Sequence, residues 1–374
     1  REGAAHYWGE PLYGYYRSTD PWVLRRHAYA LADAGIDVLI FDTTNAVTYP
    51  EVYQALCEVS TQVRAEGGAT PQIAFMVNTR AGETAERIYG DLYAPGKYEP
   101  LWFRWQGRPL LICDPAEASS DLKEFFTLRR AHWPFEMVNT DRAWHWEAAY
   151  PQPYGFVDDP ETPEQVNVSV AQNLRRSDGK VTNMSDGNAR GRSFHDGQVD
   201  RAPGAINYGY NFQEQRTRAH QLDPPFVMIT GWNEWIAGRF RRPGRPIVFV
   251  DQFDQEHSRD IEFARHGHLD HYYWQMIANI RRYKGAAPLP ATERPKTIDL
   301  DGPMTQWDQD ATTYVDHLFE TLPRDHVGVG GTHYRNDTGR HDLAEMKVVA
   351  DPTTVYFYLK SRTPLVADGH PQGL

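Results

Sequence analysis

The sequence contains little that would cross-link the chain, anchor it in a membrane or bind nucleic acid. Only 2 of its 374 residues are cysteines, so no disulfide framework is predicted, and Cys57 and Cys113 are interpreted as buried thiols. No run of about 18 apolar residues is present to form a membrane span. Acidic residues outnumber basic ones by 50 to 39. The net charge of −11 therefore argues against a general binder of nucleic acids.

Motifs for common cofactors are absent as well. No Gly-x-Gly-x-x-Gly run opens a predicted helix, which disfavours dinucleotide binding. His195 and Asp196, with Asp42 or His145, could contribute to a metal site, but neither histidine has another histidine two or four residues away to support it. We therefore expect neither a cofactor nor a metal ion.

Aromatic residues, in contrast, are abundant. They make up 13% of the chain, with 11 tryptophans and 21 tyrosines, and many lie in loop-like segments beside acidic and amide residues. Such a composition is typical of a surface that stacks on flat apolar faces and hydrogen-bonds their edges, as sugar rings require. A large aromatic core is the alternative interpretation.

Apolar strand-like runs alternate with amphipathic helical stretches over most of the chain, which predicts a parallel sheet with crossover helices. Helices are predicted at 20–35, 50–68, 81–93, 119–133 and 268–285, and strands at 36–45, 72–78, 108–114, 135–141, 165–172 and 226–231. We interpret the fold as an α/β (β/α)8 TIM-type barrel rather than a doubly wound sheet. The first recognisable element is a helix, so the first barrel strand is expected to be missing from this chain.

The sequence changes character after Gly285. Residues 286–298 are rich in proline and read as a linker. Two alternating strands, in "EMKVVAD" and "TVYFYLKSRTPL", then indicate a β-sandwich, possibly carbohydrate-binding, that breaks off before it is complete. The predicted domains are thus 1–285, 286–298 and 299–374.

Polar residues follow the predicted strands, at the end where barrel enzymes place their active sites. They are Asp42, Asn45, Asn78, Asp114, Asn139, Asp141, Gln172, Asn173, Asn233 and Glu234. Most could equally be helix caps or turn residues. Glu234 differs, because it caps helices poorly and lies between Trp232 and Trp235.

The run "GWNEW" at 231–235 resembles the strand-end motif of glycoside hydrolase family 99 and its relatives. The resemblance implies that Glu234 is a base or nucleophile, with a second glutamate three residues later as acid/base. That position is Ala237 here, a departure from the family pattern. The later run "QEHSRDIE" at 255–262 resembles the rest of the motif, displaced by an insertion, and implies Glu256 as the relocated acid and Glu262 as the terminal glutamate.

Glycosidic bond cleavage requires one protonated and one ionised carboxyl group on either side of the bond. Glu234 and Glu256 could form this pair if the insertion loops out and returns to the same place. Asp42 is the third candidate, and Asp42 or Glu147 could replace Glu256.

Further residues are predicted to bind the glycan. The segment "AWHWEAAYPQPYGF" provides a candidate sugar-stacking wall. The predicted binding residues are Asn45, Trp144, His145, Trp146, Glu147, Tyr154, Gln172, Asn173, His195, Trp232, Asn233, Trp235 and Arg259. Two loops also concentrate arginines that suit an anionic glycan: Arg175, Arg176, Arg190, Arg192 and Arg201, and Arg239, Arg241, Arg242 and Arg245.

The sequence thus predicts a glycoside hydrolase that acts on a poly- or oligosaccharide, possibly an anionic or sulfated one. We expect a monomer that is secreted or periplasmic, with its signal peptide outside this chain. Two alternatives stay open. One is a non-catalytic carbohydrate-binding barrel, which the missing acid at Ala237 favours, and the other is a metal-dependent barrel hydrolase such as a glycan deacetylase.

Overall fold

A computed structural model describes residues 5–136, 142–241, 244, 246–286, 288, 294–337 and 342–364. The chain divides into two compact units. The first comprises Arg1–Tyr15, Ala34–Tyr53 and Pro71–Gly285, and the second Tyr16–Asp33, Gln54–Thr70 and Ala286–Leu374. This grouping differs from the predicted domains, because two helical segments before residue 285 belong to the second unit. None of the described helices has the length and apolar character to span a membrane.

Seven strands with parallel pairing form the centre of the first unit. They are Val38–Asp42, Gln72–Met76, Arg108–Ile112, Thr127–His132, Ala143–His145, Gln165–Val168 and Phe226–Ile229. The first five are hydrogen-bonded in chain order, and the last two pair with each other. Gln165 joins the two sheets, because its side-chain amide bonds to the backbone N–H and carbonyl of His145 at 2.8 and 2.9 Å.

These strands share one hydrophobic core. Its buried members are Ala74, Met76, Leu110, Ile112, Ala131, Trp144, Phe226 and Met228. Val38 and Ile40 of the first strand pack against the same cluster, so strands from both ends of the series face a common interior. The mixed α/β architecture is confirmed. The closed barrel stays a prediction, because among the described residues no hydrogen bonds join strand Val38–Asp42 to strand Phe226–Ile229.

Six α-helices are present in the described residues. They are Pro21–Asp33, Pro50–Ala65, Ala81–Ile88, Ser120–Phe125, Tyr210–Leu222 and His271–Lys284. The first begins at the predicted proline, and Oδ1 of Asp20 accepts a hydrogen bond from the Trp22 N–H at 3.1 Å, as expected of an N-cap.

Short strands surround the parallel ones in the first unit. Arg104–Trp105 and Tyr154–Gly155 extend the two sheets. The other short strands form two-stranded antiparallel pairs: His6–Tyr7 with Ile236–Ala237, Gln172–Arg175 with Ala189–Arg190, Phe194–His195 with Gln198–Val199, and Arg239–Phe240 with Val248–Phe249.

The predicted helix over 119–133 is wrong in its second half. The helix ends at Phe125, and Thr127–His132 is a largely buried strand. Arg129 is only 3% exposed, because its guanidinium forms a two-pronged ion pair with Glu164 at 2.7 and 2.5 Å. The charge of Arg129 is thus neutralised inside the protein. The strand predicted at 135–141 lies mostly outside the described residues.

The second unit contains the predicted C-terminal strands. Thr312–Val315, Leu343–Ala350 and Val355–Ser361 form an antiparallel sheet, and Arg324–Val327 pairs with His333–Asn336. Ile298, at the end of the predicted linker, is buried with Trp307 and Val349. The strands in "EMKVVAD" and "TVYFYLKSRTPL" are confirmed, whereas the β-sandwich stays a prediction.

Candidate active site

Three acidic residues lie at or just beyond the carboxyl ends of parallel strands. Asp42 ends the strand Val38–Asp42, Glu147 follows Ala143–His145, and Glu234 follows Phe226–Ile229. Because the carboxyl ends of parallel strands meet at one edge, elements far apart in the sequence bring these side chains to the same side of the first unit.

A β-hairpin brings a further carboxylate back to Glu234. Within the insertion after Glu234, Arg239–Phe240 pairs antiparallel with Val248–Phe249, so the two ends of the insertion lie side by side. Asp251 follows the second hairpin strand, and its charge acts on Glu234 more strongly than that of any other residue. The insertion was expected to return Glu256 to this place, and the residue after the hairpin whose charge acts most strongly on Glu234 is Asp251.

Glu234 has the environment of a proton donor. Its residue is exposed to solvent, which leaves it accessible to a substrate. Desolvation and repulsion from Asp251, Asp260 and Asp42 raise the pKa of Glu234 to about 8, against the opposing effect of Arg259. A carboxyl group with this pKa is mostly protonated at pH 7. We call Asp42, Glu147, Glu234, Asp251 and Asp260 the carboxylate cluster.

Arg259 links two members of the carboxylate cluster. Its Nη1 lies 3.3 Å from Oε1 of Glu147, and its Nη2 lies 2.9 Å from Oδ1 of Asp251. The guanidinium also stacks over the ring of Trp146 at 4.6 Å. Burial opposes its charge, but attraction to Glu147, Asp251 and Glu234 raises the pKa of Arg259. Arg259 is therefore charged, and its guanidinium holds the Asp251 carboxylate by an ion pair.

Glu147 is fully buried beside this arginine. Its Oε1 accepts from the Asn173 N–H at 3.4 Å in addition to the contact with Arg259, and its Oε2 has no protein partner among the described residues. Burial raises the pKa of Glu147 to about 7, against the attraction of Arg259. The 3.3 Å contact with the permanently charged guanidinium opposes this shift, because it stabilises the ionised form of Glu147.

The backbone of Glu234 is held on both sides. Its N–H donates to Oδ2 of Asp260 at 2.6 Å, and its carbonyl accepts from Nε1 of Trp8 at 2.9 Å. Trp8 stacks on Trp235 with ring centroids 4.7 Å apart, and Nε1 of Trp235 donates to the fully buried Glu262 at 2.7 Å. Trp235 is thus a packing anchor, and Glu262 is a hydrogen-bond acceptor in the interior.

Glu256 has a different set of contacts. Its carboxylate accepts from the Ser193 hydroxyl at 2.6 Å and from the Ser193 N–H at 3.2 and 3.3 Å. It therefore ties together two loops, 191–193 and 255–259. The catalytic role implied by the family resemblance stays a prediction for Glu256.

Comparisons with known proteins find similar solved structures. No family model matches the sequence, and no curated protein matches it. The GH99 endo-alpha-mannosidase from Bacteroides thetaiotaomicron is 14% identical, with a TM-score of 0.46 over 75% of this chain and 85% of that one. A structure of that enzyme with BIS-TRIS-propane is 15% identical, with a TM-score of 0.45 over 74% of this chain and 88% of that one. A glycoside hydrolase-like protein is 12% identical, with a TM-score of 0.41 over 74% of this chain and 90% of that one. The chain thus resembles family 99 structures, but identities and TM-scores this low assign neither residues nor substrate.

Several predicted binding residues are too buried to touch a ligand in this structure. Trp144 is 1% exposed and donates from Nε1 to Glu164 at 2.6 Å. It is therefore part of the core and not of a stacking wall, because "AWH" is a strand. His145 is 2% exposed, and burial lowers its pKa to about 3. The other predicted binding residues that are buried are Glu147, Gln172, Asn173, Trp235 and Arg259.

The remaining predicted binding residues keep solvent contact, and their binding roles stay predictions. Asn45 donates to the Tyr49 hydroxyl at 2.8 Å, and Asn233 to Glu262 at 2.8 Å. The Tyr154 hydroxyl donates to the Pro160 carbonyl at 2.9 Å. Trp146, His195 and Trp232 are half-buried. Among the described residues no group of three or more His, Cys, Asp or Glu side chains is arranged to hold a metal ion.

An aromatic surface lies beside Arg259, and of its three members the sequence analysis singled out only Trp146. Trp146, on which Arg259 stacks, lies 5.2 Å from the ring of Trp133. Nε1 of Trp133 donates to Asn78 at 3.1 Å, and Phe135, 64% exposed, stacks parallel to Trp133 at 6.4 Å. Trp133 was placed at the end of a helix in the sequence, which hid its position after a strand.

Most described arginines of the first predicted anion-binding loop already have protein partners. Arg192 is fully buried, where it donates to the Ser258 hydroxyl and the Asp260 carbonyl. Its role as an exposed anion contact is therefore wrong. Arg175 pairs with Asp178 at 2.6 Å, and Arg176 donates to the Gly187 carbonyl. Arg190 stacks over a phenylalanine ring. Arg201, Arg239 and Arg241 are exposed, whereas Arg242 and Arg245 lie outside the described residues.

Proposed function

We propose that this chain is a glycoside hydrolase in which Glu234 donates the proton to the leaving oxygen and Asp251 is the ionised second carboxyl group. The observation that carries the proposal is the contrast between the surroundings of two carboxyl groups that act on one another. Desolvation and neighbouring acids raise the pKa of Glu234 to about 8, while Asp251 contacts the guanidinium of Arg259 at 2.9 Å. Cleavage of a glycosidic bond requires this combination.

The two groups divide the reaction between them. Glu234 transfers its proton to the glycosidic oxygen as the bond to the anomeric carbon breaks, so the leaving sugar departs as an alcohol. Asp251 either takes a proton from the water molecule that attacks the anomeric carbon, or attacks this carbon itself to form a glycosyl ester that water then hydrolyses. Asp42 is the alternative for this second role, because it is exposed and its charge also acts on Glu234.

The charges around Glu234 favour a substrate without negative charge at the reacting sugar. Asp42, Asp251 and Asp260 all raise the pKa of Glu234 by repulsion, and Arg259, which acts against them, is already shared between two carboxylates. A sulfate or uronate at this position would be repelled. We therefore propose a neutral poly- or oligosaccharide as the substrate.

Leaving-group chemistry tests the two roles. After a screen of neutral polysaccharides identifies the sugar, Glu234→Gln and Asp251→Asn are assayed on the natural glycan and on a 2,4-dinitrophenyl glycoside. That leaving group needs no proton, so Glu234→Gln should lose about 10³-fold on the glycan and less than about tenfold on the aryl glycoside. Asp251→Asn should lose activity on both. Full activity of Glu234→Gln on the glycan would refute the proposal.

A non-catalytic carbohydrate-binding protein is the second candidate. Ala237 is buried and pairs with His6, so no carboxylate occupies the position where the resemblance places the acid. Saturable binding of a neutral oligosaccharide by calorimetry, without release of reducing ends over days, would favour this candidate.

A further inference from the structure

We propose that Glu147 and Arg259 form a buried positioning pair that fixes the carboxylate of Asp251 beside Glu234. This inference rests on the proposed function. It gives the pair an indirect role, because both residues act through Asp251 and neither contacts the substrate. Arg259 is 3% exposed and Glu147 is fully buried, so both lie behind the surface that a glycan contacts.

The geometry of Arg259 suits a rigid support. Its two terminal nitrogens bond to different carboxylates, at 3.3 Å to Glu147 and 2.9 Å to Asp251, while the flat face stacks on Trp146 at 4.6 Å. Its backbone N–H donates to the Gln252 side chain at 2.8 Å, next to Asp251 in the sequence. The two carboxylates thus fix the edge of the guanidinium, the Trp146 ring fixes its face, and the hydrogen bond to Gln252 fixes the backbone of Arg259.

Asp251 needs such a support, because the element that carries it is a hairpin exposed along much of its length. One third of the Asp251 side chain is exposed, whereas its partner Arg259 is inside. Glu147 belongs to the segment after the strand Ala143–His145, so the pair ties the returning end of the insertion to the parallel sheet. A displacement of about 1 Å at a catalytic group can cost about 10²-fold in rate.

Folding stability alone gives a poor account of Glu147. A buried ion pair gains little over apolar side chains of similar size, and Oε2 of Glu147 has no protein partner in the described part of the chain. The buried pair Arg129–Glu164 shows what a structural pair looks like here. Both of its contacts are short, and Glu164 also accepts hydrogen bonds from Trp105 and Trp144 at 2.8 and 2.6 Å.

Four variants separate position from charge: Arg259→Lys, Arg259→Gln, Glu147→Gln and the control Arg129→Lys. Lysine keeps the charge but lacks the fork that bonds two carboxylates at once. Arg259→Lys should therefore lower kcat about 10²-fold with KM and the alkaline limb of the pH profile unchanged. Arg259→Gln should lower kcat and also move that limb upward by about one unit, because a positive charge beside Glu234 is lost. Glu147→Gln should lower kcat without a change in KM.

The control and a measurement that needs no activity complete the test. Arg129→Lys should lower the melting temperature but leave kcat and the pH profile as they are. Carbon-13 NMR titration of labelled glutamate carboxyls, with the Glu234 signal assigned by its loss in Glu234→Gln, should show the same upward shift in Arg259→Gln. Values of kcat within threefold of the native protein in both Arg259→Lys and Glu147→Gln would overturn the inference.

Failure of the proposed function has a separate signature. If Glu234→Gln or Asp251→Asn cleaves the glycan at the native rate, the carboxyl pair itself is misassigned. If both are inactive while Arg259→Lys and Glu147→Gln are normal, the carboxyl pair stands and the positioning role alone is wrong.

Discussion

The backbone N–H of Glu234 donates to a carboxylate oxygen of Asp260, 2.6 Å away. Asp260 is 1% exposed, and its other oxygen accepts from Nε2 of Gln252 at 3.2 Å. This buried acid both fixes the main chain at Glu234 and, through its charge, helps to keep the Glu234 carboxyl protonated.

Two substitutions at Asp260 should separate these effects. Asp260→Ala leaves the Glu234 N–H without its acceptor and should lower the free energy of unfolding by about 1–3 kcal/mol, measured by urea denaturation. Asp260→Asn keeps an acceptor oxygen but removes the charge, so the alkaline limb of the pH profile should move downward. An upward shift in Asp260→Asn would contradict this account.

Asp42→Asn distinguishes an electrostatic neighbour from an essential group. If Asp251 is the second catalytic carboxylate, the variant should keep at least about a tenth of native kcat. Its alkaline limb should move downward, because one of the charges that raise the pKa of Glu234 is lost. A loss of about 10³-fold or more would instead support the catalytic role predicted for Asp42 from the sequence.

Folding stability should fall as the pH rises from 6.5 to 8. The pKa values of Glu147 and Glu234 are raised to about 7 and 8, so the folded state binds protons that the unfolded chain has already released, and this stabilisation is lost as each group ionises. Buried His145 and His268, with pKa values lowered to about 3, act in the opposite direction as the unfolded chain releases its histidine protons around pH 6.5, so they offset part of this decrease up to about pH 7.5.

The decrease that comes from Glu147 should be about 1 kcal/mol between these pH values. Denaturation curves at several pH values measure it, with Glu147→Gln as the comparison, in which the dependence should be shallower. An equal slope in both proteins would show that Glu147 does not titrate in this range.

Trp133→Ala should weaken glycan binding more than it slows chemistry. The Trp133 ring belongs to the aromatic surface with Trp146 and Phe135, which suits stacking on a sugar face. We expect KM to rise about tenfold with kcat within about twofold. Trp274→Ala, on the helix His271–Lys284 and 58% exposed, is the matched control and should change neither constant.

A neutral oligosaccharide should be cleaved faster than its sulfated counterpart, because Asp42 and Asp251 repel an anion at the reacting sugar. The difference should shrink as salt screens these charges, which initial rates at low and physiological ionic strength would measure. Faster cleavage of the sulfated form at low salt would support the anionic substrate predicted from the sequence, with Arg239 and Arg241 as its exposed contacts.

The sequence was most informative where the local pattern determined the structure. Helix Pro21–Asp33 follows from its N-cap and proline, and strand Phe226–Ile229 from its continuous apolar run. The segment 127–132 was wrongly predicted as a helix. Arg129 can lie in the core because it pairs with Glu164, which is 35 residues away in the sequence. A single sequence without neighbours in space cannot reveal such a pair.

The same limit applies to the site. Glu234 could be recognised from its position after a strand, but Asp251 was indistinguishable from Asp254, the other aspartate of the insertion, until the pairing of Arg239–Phe240 with Val248–Phe249 placed it. Trp144 and Trp235 suggested a sugar platform by composition, and their ring nitrogens instead bond to the buried acids Glu164 and Glu262.

The hairpin after Glu234 also bears on how this protein could diversify. Two antiparallel strands keep their register when the same number of residues is added to, or removed from, each side of the hairpin. The insertion can therefore change length while its two ends stay paired. Substitutions, deletions or an inserted peptide between Phe240 and Val248 would then change the surface that the tip of the hairpin presents to a ligand. Glu234 and Asp251, at the two ends of the insertion, would keep their positions.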